Sequence, residues 1–214
     1  MLVFDFFSGT GSSTKAFKDA GHTVISFEMD DFFEATENVD VTTLTADYLI
    51  ETYGRPDFVW ASPPCTTFSV ASIRHYWTYV DGKAIPKNDK TLKGIAVVAH
   101  TRKLIEDLEP KLGWLMENPR GMLRKQDVVA GLDRNTITYC QYGDNRMKPT
   151  DLWGYVPNWE PKPMCKPGMT CHESARRGED RGTQSLGGGG KRGSMLRSMV
   201  APGLSIELLE ALTR

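Results

Sequence analysis

Several features that would place a protein in a special class are scarce or missing in this sequence of 214 residues. Its four cysteines are irregularly spaced and too few for a disulfide framework, so we predict free thiols in a reducing, cytoplasmic setting. No apolar run approaches the ~18 residues of a membrane-spanning helix, and the N-terminus lacks the basic and apolar regions of a signal peptide. The formal net charge of −1 does not by itself indicate nucleic-acid binding. We therefore predict a globular protein with an ordinary hydrophobic core and no membrane contact.

Positive charge is nevertheless concentrated in one part of the chain. Residues 162–197 hold eight basic and three acidic residues, a balance typical of surfaces that contact phosphate groups. A solvated loop can have the same composition. Residues 157–194 are also rich in glycine and proline, so we predict a loop-rich segment that is partly mobile without its partner.

Short apolar, β-rich runs alternate with helical patterns along most of the chain. Strands are predicted at residues 2–6, 22–30, 57–61, 113–118 and 135–143, and helices at 14–21, 45–54, 91–108 and after Pro202. This alternation predicts an α/β fold with a mainly parallel sheet. Residues 70–90 have no clear period, and we predict a loop there. The helix at 91–108 is predicted to bury one face, formed by Leu92, Ile95, Ala96, Ala99, Leu104 and Leu108.

The first predicted strand leads into a glycine-rich turn, DFFSGTGSS. Gly9 and Gly11 permit a tight turn and a close approach of the backbone to a ligand beyond the strand's carboxyl end. Turns of this kind also occur for structural reasons alone, so the turn by itself does not establish a ligand site.

Acidic residues follow the next predicted elements. Glu28, with Asp30 behind it, can accept hydrogen bonds from both hydroxyls of a ribose, and Asp47 can accept one from an adenine amino group. Each carboxylate alone can be a surface charge, but their order outlines a nucleoside pocket. Because the turn has no Lys-Ser/Thr phosphate signature, the pattern favours a nucleoside without a triphosphate, such as S-adenosylmethionine.

Three further motifs carry reactive side chains. In WASPPCTTFS, Cys65 can be a small buried hydrophobe, a metal ligand or a nucleophile. MENP places Glu117 and Asn118 at the end of a predicted strand, and QYGDNRMKPT places Arg146 and Lys148 two residues apart, on one face of a strand. Together they supply a nucleophile, an acid and an anion clamp.

In this order the motifs resemble those of the cytosine-5 DNA methyltransferases. FFSGTG resembles that family's cofactor-binding turn, and ENP its Glu-Asn-Val motif. SPPCTTFS resembles its Pro-Cys-Gln catalytic loop, with Thr66 in place of glutamine, and YGDNRMK a shortened Gln-x-Arg-x-Arg motif. RSMVAPGLSIELLEAL resembles its last motif, with Ser198 where asparagine is usual. The resemblance spans most of residues 1–154 and again about 193–213.

The resemblance implies a Rossmann-like S-adenosylmethionine-dependent methyltransferase with a small loop-rich insertion. Residues 1–154 and 194–214 would form the catalytic domain, with the C-terminal helix packing back, and residues 155–193 a minimal target-recognition segment. The implied reaction transfers a methyl group to carbon 5 of a flipped-out cytosine and needs no metal. Cys65 would add to carbon 6 with its pKa depressed by Arg146, Glu117 would hold the ring N3 and exocyclic amine, and Asn118 would orient the loop.

The resemblance also assigns the site residues. The catalytic group is Cys65, Glu117, Asn118, Arg146 and Pro64. The cofactor group is Asp5, Phe7, Gly9, Gly11, Glu28, Met29, Asp47 and Pro63. The DNA-binding group is Lys148, from its motif, with Arg176, Arg177, Arg181, Lys191 and Arg192, from the concentration of positive charge in residues 162–197.

The basic segment also contains the sequence CKPGMTCH. Its Cys165, Cys171 and His172, together with Cys140, can be interpreted as ligands of a structural zinc ion. The spacing is not a usual zinc signature, so we favour two loop thiols beside a solvent-facing histidine and predict no metal.

Several alternatives stay open from the sequence. The same cytosine chemistry applies to RNA, and exocyclic-amino methyltransferases share Ser-Pro-Pro but carry an aromatic residue where Cys65 stands. A degenerate DNA-binding homologue would lack Cys65 or Glu117, and both are present. The DNA partner can be single- or double-stranded, or be presented by a specificity subunit or an oligomer. The short length indicates an enzyme carried by a virus or plasmid, in a bacterial or phage-infected cell, with restriction-modification as one role.

Overall fold

A computed structural model describes residues 1–173 and 190–214. The strands are β1 (Leu2–Phe6), β2 (Thr23–Glu28), β3 (Glu37–Asn38), β4 (Phe58–Ala61), β5 (Trp77–Val80), β6 (Lys83–Pro86), β7 (Gly113–Pro119), β8 (Arg134–Thr138) and β9 (Pro149–Tyr155). The helices are α1 (Lys15–Asp19), α2 (Ala46–Tyr53), α3 (Ile73–Tyr76), α4 (Asp89–Leu108), α5 (Gly190–Ser198) and α6 (Pro202–Leu212). Seven strands form one sheet in the order β3-β2-β1-β4-β7-β9-β8, and β5 pairs with β6 separately.

The large sheet is mainly parallel, which confirms the α/β prediction. β1 pairs in parallel with β2 and β4, β2 with β3, and β4 with β7. β9 runs antiparallel to both β7 and β8. The carboxyl ends of the parallel strands and of β8 therefore meet the amino end of β9 at one edge of the sheet, which we call the carboxyl edge. Any side chain that follows a parallel strand or precedes β9 lies near this edge.

β9 is one of the strands that the sequence analysis did not predict. Its first residue is a proline, and Gly154 within it has a φ of 115°, both unfavourable signals for an ordinary strand. The backbone at Gly154 lies so close to β7 that an added Cβ would stand 2.3 Å from the carbonyl oxygen of Trp114. The predicted strand at 135–143 is shorter than expected, because β8 ends at Thr138 and a 3-10 turn (Tyr139–Tyr142) follows it.

Two hydrophobic clusters cover the two faces of the sheet. Successive side chains of a strand point to opposite faces. Phe4 of β1 therefore belongs to the cluster that contains Leu49 of α2 and Ile105 of α4, while Val3 belongs to the cluster on the other face, with Leu208 of α6. The helices predicted at 14–21, 45–54 and after Pro202 are confirmed as α1, α2 and α6. Among helices in the part of the chain that the structure describes, none combines the length and apolarity of a membrane span.

Helix α4 confirms the helix predicted at 91–108, but of the six residues predicted for its buried face only Leu104 and Leu108 are buried. Leu92 is 55% exposed, whereas the buried side chains are Thr91, Val98, Thr101, Leu104, Ile105 and Leu108. The two threonines can be buried because each hydroxyl has a partner, the Tyr76 carbonyl for Thr91 and the Val97 carbonyl for Thr101. Because the prediction counted only apolar residues, it missed the buried threonines and gave a face that differs in part from the observed one.

The loop predicted at residues 70–90 is wrong, because this region contains α3 and the β5–β6 hairpin. Asp81 and Gly82 form the two-residue turn with φ angles of 48° and 77°, as the Asp-Gly pair favours. Trp77 is buried and donates from Nε1 to the Thr67 carbonyl at 2.6 Å. The hairpin is thereby attached to the loop that follows β4.

The C-terminal helix closes the second face of the sheet. Within the described residues, 156–173 contain no helix or strand, and residues 174–189 of the predicted mobile segment lie outside the described residues. α6 buries Leu204 and Leu208 in the cluster that contains Phe17 of α1 and Trp60 of β4. Ser205 Oγ accepts a hydrogen bond from the Ala16 amide at 3.2 Å, which joins α6 to α1.

The substitution Leu208→Ala is expected to lower the free energy of unfolding by about 2–5 kcal/mol, because it leaves a cavity under α6. Ile206→Ala removes a 49% exposed side chain from the same helix and should change that free energy by less than about 1 kcal/mol. Urea unfolding followed by circular dichroism measures both. Equal losses in the two variants would show that α6 does not pack as described.

Candidate active site

The turn between β1 and α1 has a backbone shape that requires its glycines. Phe7, Gly9 and Gly11 have φ angles of 60°, 48° and 67°. Because an added Cβ on either glycine would meet nothing within 4 Å, the space above the turn is open. These glycines are therefore needed for the backbone conformation, and the turn leaves room for a ligand.

Asp5 lies buried beneath this turn. Its Oδ2 accepts hydrogen bonds from Ser13 Oγ at 2.8 Å and Thr14 Oγ1 at 2.7 Å. Burial raises the pKa of Asp5 to about 6, against the effect of the two hydroxyl donors. Within the described residues, Asp5 Oδ1 and Ser8 Oγ are buried without a hydrogen-bond partner. Asp5 thus holds the turn, and the turn retains unsatisfied polar atoms.

Glu28 ends β2 with its carboxylate fixed by three backbone amides. Oε2 accepts from Gly9 N at 2.9 Å, and Oε1 accepts from Met29 N at 2.9 Å and Asp30 N at 3.0 Å. A carboxylate has about four acceptor sites, so roughly one remains for a further donor. Met29 is 70% exposed beside it, and Asp47 lies in the exposed first turn of α2. The hydrogen bond from the Gly9 amide therefore holds Glu28 and the glycine turn together.

The loop after β4 carries Cys65 and is tied to β7. Asn118, which is fully buried, donates from Nδ2 to the Pro63 carbonyl at 2.9 Å. Pro64 is exposed, and the Cys65 carbonyl accepts from the amides of Phe68 and Ser69, both at 3.0 Å. The half-buried Cys65 is a free thiol held at the start of a tight turn.

Glu117 is the buried acid of the site, with only 6% of its surface exposed. Tyr139 donates its hydroxyl hydrogen to Glu117 Oε1 at 3.2 Å. Burial raises the pKa of Glu117, and the charge of Lys148 and the Tyr139 hydrogen bond oppose that rise. The carboxyl group therefore keeps its proton to a higher pH than an exposed glutamate.

Lys148, assigned from the sequence to DNA binding, instead faces the reactive groups. The register of β8 and β9 explains the position of Lys148. Pro149 pairs with Thr138 at the carboxyl edge, and Lys148 directly precedes Pro149. Its Nζ lies 4.4 Å from the centroid of the Tyr139 ring. Burial lowers the pKa of Lys148, while the charges of Glu117 and Cys65 raise it.

The predicted effect of Arg146 on Cys65 is wrong in two respects. Burial raises the pKa of Cys65, and the negative charge of Glu117 raises it further, whereas we predicted a depressed pKa. The cation that opposes the rise is Lys148. The pKa of a thiol falls only where a nearby cation outweighs its desolvation, and here desolvation is larger.

Arg146 is buried and engaged in structural bonds. Its guanidinium pairs with Asp144 and donates to the carbonyls of Leu196, Arg197 and Met199 at 2.9, 3.1 and 3.1 Å. Burial raises the pKa of Asp144, but the combined effect of the Arg146 hydrogen bonds and the charges of Arg146 and Lys148 leaves it lowered. The residues between Tyr142 and Pro149 form a loop, so Arg146 and Lys148 do not share a strand face as predicted.

Two departures from the family pattern lie at the surface. Thr66 is exposed, and its carbonyl accepts from Ser72 Oγ at 2.6 Å. Ser198 is exposed and donates to the Met195 carbonyl at 2.8 Å within its own helix. The C-terminal segment reaches the cofactor turn by another bond, from Val200 N to Ser12 Oγ at 2.9 Å.

The structure describes only some of the basic residues in the predicted DNA-binding group. Arg176, Arg177 and Arg181 lie outside the described residues, and Lys191 and Arg192 belong to α5 without a description of their side chains.

The sequence favoured two loop thiols and a solvent-facing histidine for Cys165, Cys171 and His172. The structure instead gathers these three side chains with Cys140, with all four potential ligand atoms within 4.8 Å of one another.

Tyr139 is a site residue that sequence reasoning missed. It directly follows β8, so its position after a predicted strand was the available signal. The sequence assigned Lys148 to DNA binding. Because it did not predict β9, it could not place Lys148 at the carboxyl edge.

The sequence of this chain is similar to those of known proteins. Residues 1–135 match the family described as C-5 cytosine-specific DNA methylase. A protein of Frog virus 3 (isolate Goorha), described as "Probable DNA (cytosine-5)-methyltransferase", is 31% identical over 219 residues, covering 98% of this chain and 99% of that protein.

A solved methyltransferase structure from Entamoeba histolytica has the same fold at 14% identity and a TM-score of 0.52, covering 75% of this chain. The chain spans about half of that structure, 54% of its length. The family uses S-adenosylmethionine as its methyl donor, which agrees with the open glycine turn beside Glu28. By its sequence match and its full-length relative, the chain belongs to the C-5 cytosine-specific DNA methylases.

Proposed function

We propose that this chain methylates carbon 5 of cytosine in DNA through a covalent intermediate that joins Cys65 Sγ to carbon 6. The observation that carries the proposal is the grouping of one thiol, one buried carboxyl group and one ammonium group at the carboxyl edge. Lys148 acts electrostatically on both Cys65 and Glu117, so the three groups share one site. Arg146 is a positioning residue that fixes the loop carrying Lys148.

The chemistry requires these residue types. Carbon 5 of cytosine is a poor nucleophile, and addition of a thiolate to carbon 6 moves an electron pair from the 5,6 double bond onto carbon 5 and the ring. Glu117 donates its retained proton to N3 and accepts from the exocyclic amine, which offsets the charge that develops. With S-adenosylmethionine bound, carbon 5 would take its methyl group. A base then removes the carbon 5 proton, the double bond re-forms, N3 returns its proton to Glu117, and Cys65 leaves as the thiolate.

The cofactor is held by the turn between β1 and α1. S-adenosylmethionine supplies an electrophilic methyl group on a sulfonium. The free acceptor site of Glu28 is suited to a ribose hydroxyl, exposed Met29 to an apolar contact with the base, and the unsatisfied Ser8 Oγ to a polar group of the cofactor. Asp47 is assigned to the adenine amino group by family resemblance.

The DNA substrate must present its cytosine outside the base stack, because Glu117 is buried at the carboxyl edge. Basic residues of the segment 155–193 are proposed to hold phosphates rather than base edges. The relative from Frog virus 3 supports a viral enzyme acting in an infected cell.

The first test uses an oligonucleotide that contains 5-fluorocytosine, with labelled S-adenosylmethionine. Fluorine blocks removal of the carbon 5 substituent, so the wild-type protein should form a covalent complex that survives denaturing electrophoresis. Cys65→Ser should form none while binding S-adenosylmethionine with unchanged affinity by calorimetry. A complex of equal yield in Cys65→Ser would overturn the assignment of the nucleophile.

The second test concerns the pH dependence of Cys65. A raised pKa means that the thiolate fraction increases with pH and reaches its midpoint above the value of about 8.5 for an unperturbed thiol. Alkylation of Cys65 by iodoacetamide, followed by mass spectrometry, should therefore accelerate with pH with a midpoint above that value.

The variants of Lys148 separate charge from packing. Lys148→Met removes the opposing positive charge and should move the alkylation midpoint to higher pH, whereas Lys148→Arg should leave it near wild type. A midpoint that is unchanged in Lys148→Met would show that Lys148 does not control the thiol.

A further inference from the structure

A second cluster of reactive side chains lies apart from the methyl-transfer residues. Cys140 belongs to the 3-10 turn after β8, whereas Cys165, Cys171 and His172 come from the segment after β9. Cys171 Sγ lies 3.1 Å from Cys165 Sγ and 3.8 Å from Cys140 Sγ. His172 Nδ1 lies 3.4 Å from Cys165 Sγ and 3.6 Å from Cys171 Sγ. Four potential ligand atoms thus face one point.

These separations can be compared with a tetrahedral zinc site. Zn–S bonds of about 2.3 Å and Zn–N bonds of about 2.0–2.1 Å place tetrahedral ligand atoms about 3.8 Å apart for two sulfurs and about 3.6 Å for sulfur and nitrogen. Of the six pairs of ligand atoms, three lie within about 0.2 Å of those values, the sulfur pair at 3.1 Å is shorter, and the two remaining pairs lie within 4.8 Å. That pair is nevertheless far beyond the ~2.05 Å of a disulfide bond.

We propose that Cys140, Cys165, Cys171 and His172 bind one Zn²⁺ ion as a structural site. Three thiolates and one imidazole are a donor set that selects zinc over the hard cations magnesium and calcium. Four protein ligands close the coordination shell, so no position is left for a substrate or a reactive water. The ion therefore takes no part in methyl transfer.

The groups around the cluster support an ordered site. The Gln141 side-chain amide donates to Cys171 Sγ at 3.4 Å, as an outer-shell donor to a zinc-bound thiolate does. The Cys165 amide donates to Thr138 Oγ1 at 2.8 Å, and the Glu173 amide donates to the Asn145 carbonyl at 2.9 Å. Cys165 and Cys140 are 4% and 7% exposed, so water reaches them poorly.

The position of the cluster defines what the ion does. Cys140 is adjacent to Tyr139, which donates to Glu117, and the same chain leads on to Lys148. Cys171 and His172 stand just before the basic stretch of the proposed target-recognition segment. Zinc would fix the start of that segment to the chain that shapes the methyl-transfer site, in a region that lacks helices and strands of its own between residues 156 and 173.

Metal analysis of the full-length protein, purified under reducing conditions, tests the site directly. Plasma mass spectrometry should find about one zinc per chain. Cys171→Ser and His172→Ala should each lose most of it. Cys65→Ser, which removes a cysteine outside the cluster, and His75→Ala, which removes an exposed histidine, should keep it. Equal zinc in all four variants would overturn the assignment.

Cobalt substitution gives a readout independent of activity and of variant folding. Apo wild-type protein titrated with Co²⁺ should show the visible bands of tetrahedral cobalt and thiolate-to-cobalt charge transfer, saturating at one equivalent. His172→Cys should retain the metal and increase the charge-transfer intensity, because it adds a fourth thiolate. A folded protein that shows no such spectrum, or that contains a Cys165–Cys171 disulfide in place of bound metal after reducing purification, would refute the zinc site.

Discussion

Burial of the Glu117 carboxyl group is the constraint on which the rest of the proposed methyl-transfer site depends. A carboxyl group removed from water is costly in its charged form, so it needs a proton, a hydrogen-bond donor or a cation nearby. Tyr139 supplies the donor and Lys148 the cation. Burial of Cys65 and the negative charge of Glu117 raise the pKa of the Cys65 thiol, so the proposed nucleophile and the proposed acid are affected by one desolvated environment. Any change that admits water at this edge alters both groups together.

Placement of the cation depends on a strand that runs against the others. A parallel strand contributes residues at its carboxyl end, but β9 is antiparallel and contributes the residue before it. Lys148 thereby reaches the edge that the Cys65 loop and Glu117 approach from β4 and β7. Arg146, two residues earlier, is buried among carbonyl groups of residues 196–199. Its hydrogen bonds hold the loop that carries Lys148 against that segment. Arg146 therefore positions the loop, and Lys148 places a positive charge near Cys65 and Glu117.

The sequence could predict those parts of the site that follow local rules. The glycine turn, Glu28, Cys65 and Glu117 each lie at or after the carboxyl end of a strand with an apolar run, and the parallel sheet brings such positions together. The pairing of β9 was not predictable in this way, because Pro149 and Gly154 weaken its strand signal and its pairing is set by distant residues. The error about Arg146 followed from that omission. The missed β5–β6 hairpin was different, since the Asp-Gly pair was a local signal that could have been used. The buried threonines of α4 show that hydroxyls bonded to local carbonyls can replace apolar residues on a packed face.

The contacts between α6 and the cofactor turn have a consequence for biosynthesis. Ser12 bonds to Val200 and Ala16 to Ser205, pairs separated by 188 and 189 positions along the chain. Contacts of such long sequence separation form late, because the closure entropy of the loop must be overcome first. As the ribosome releases the chain from its N-terminus, the glycine turn is made first but gains these two contacts only after residue 205 has emerged. Nascent chains shorter than this would therefore have a glycine turn without these two hydrogen bonds and an uncovered apolar sheet face, and exposed apolar surface of this kind is what chaperones bind.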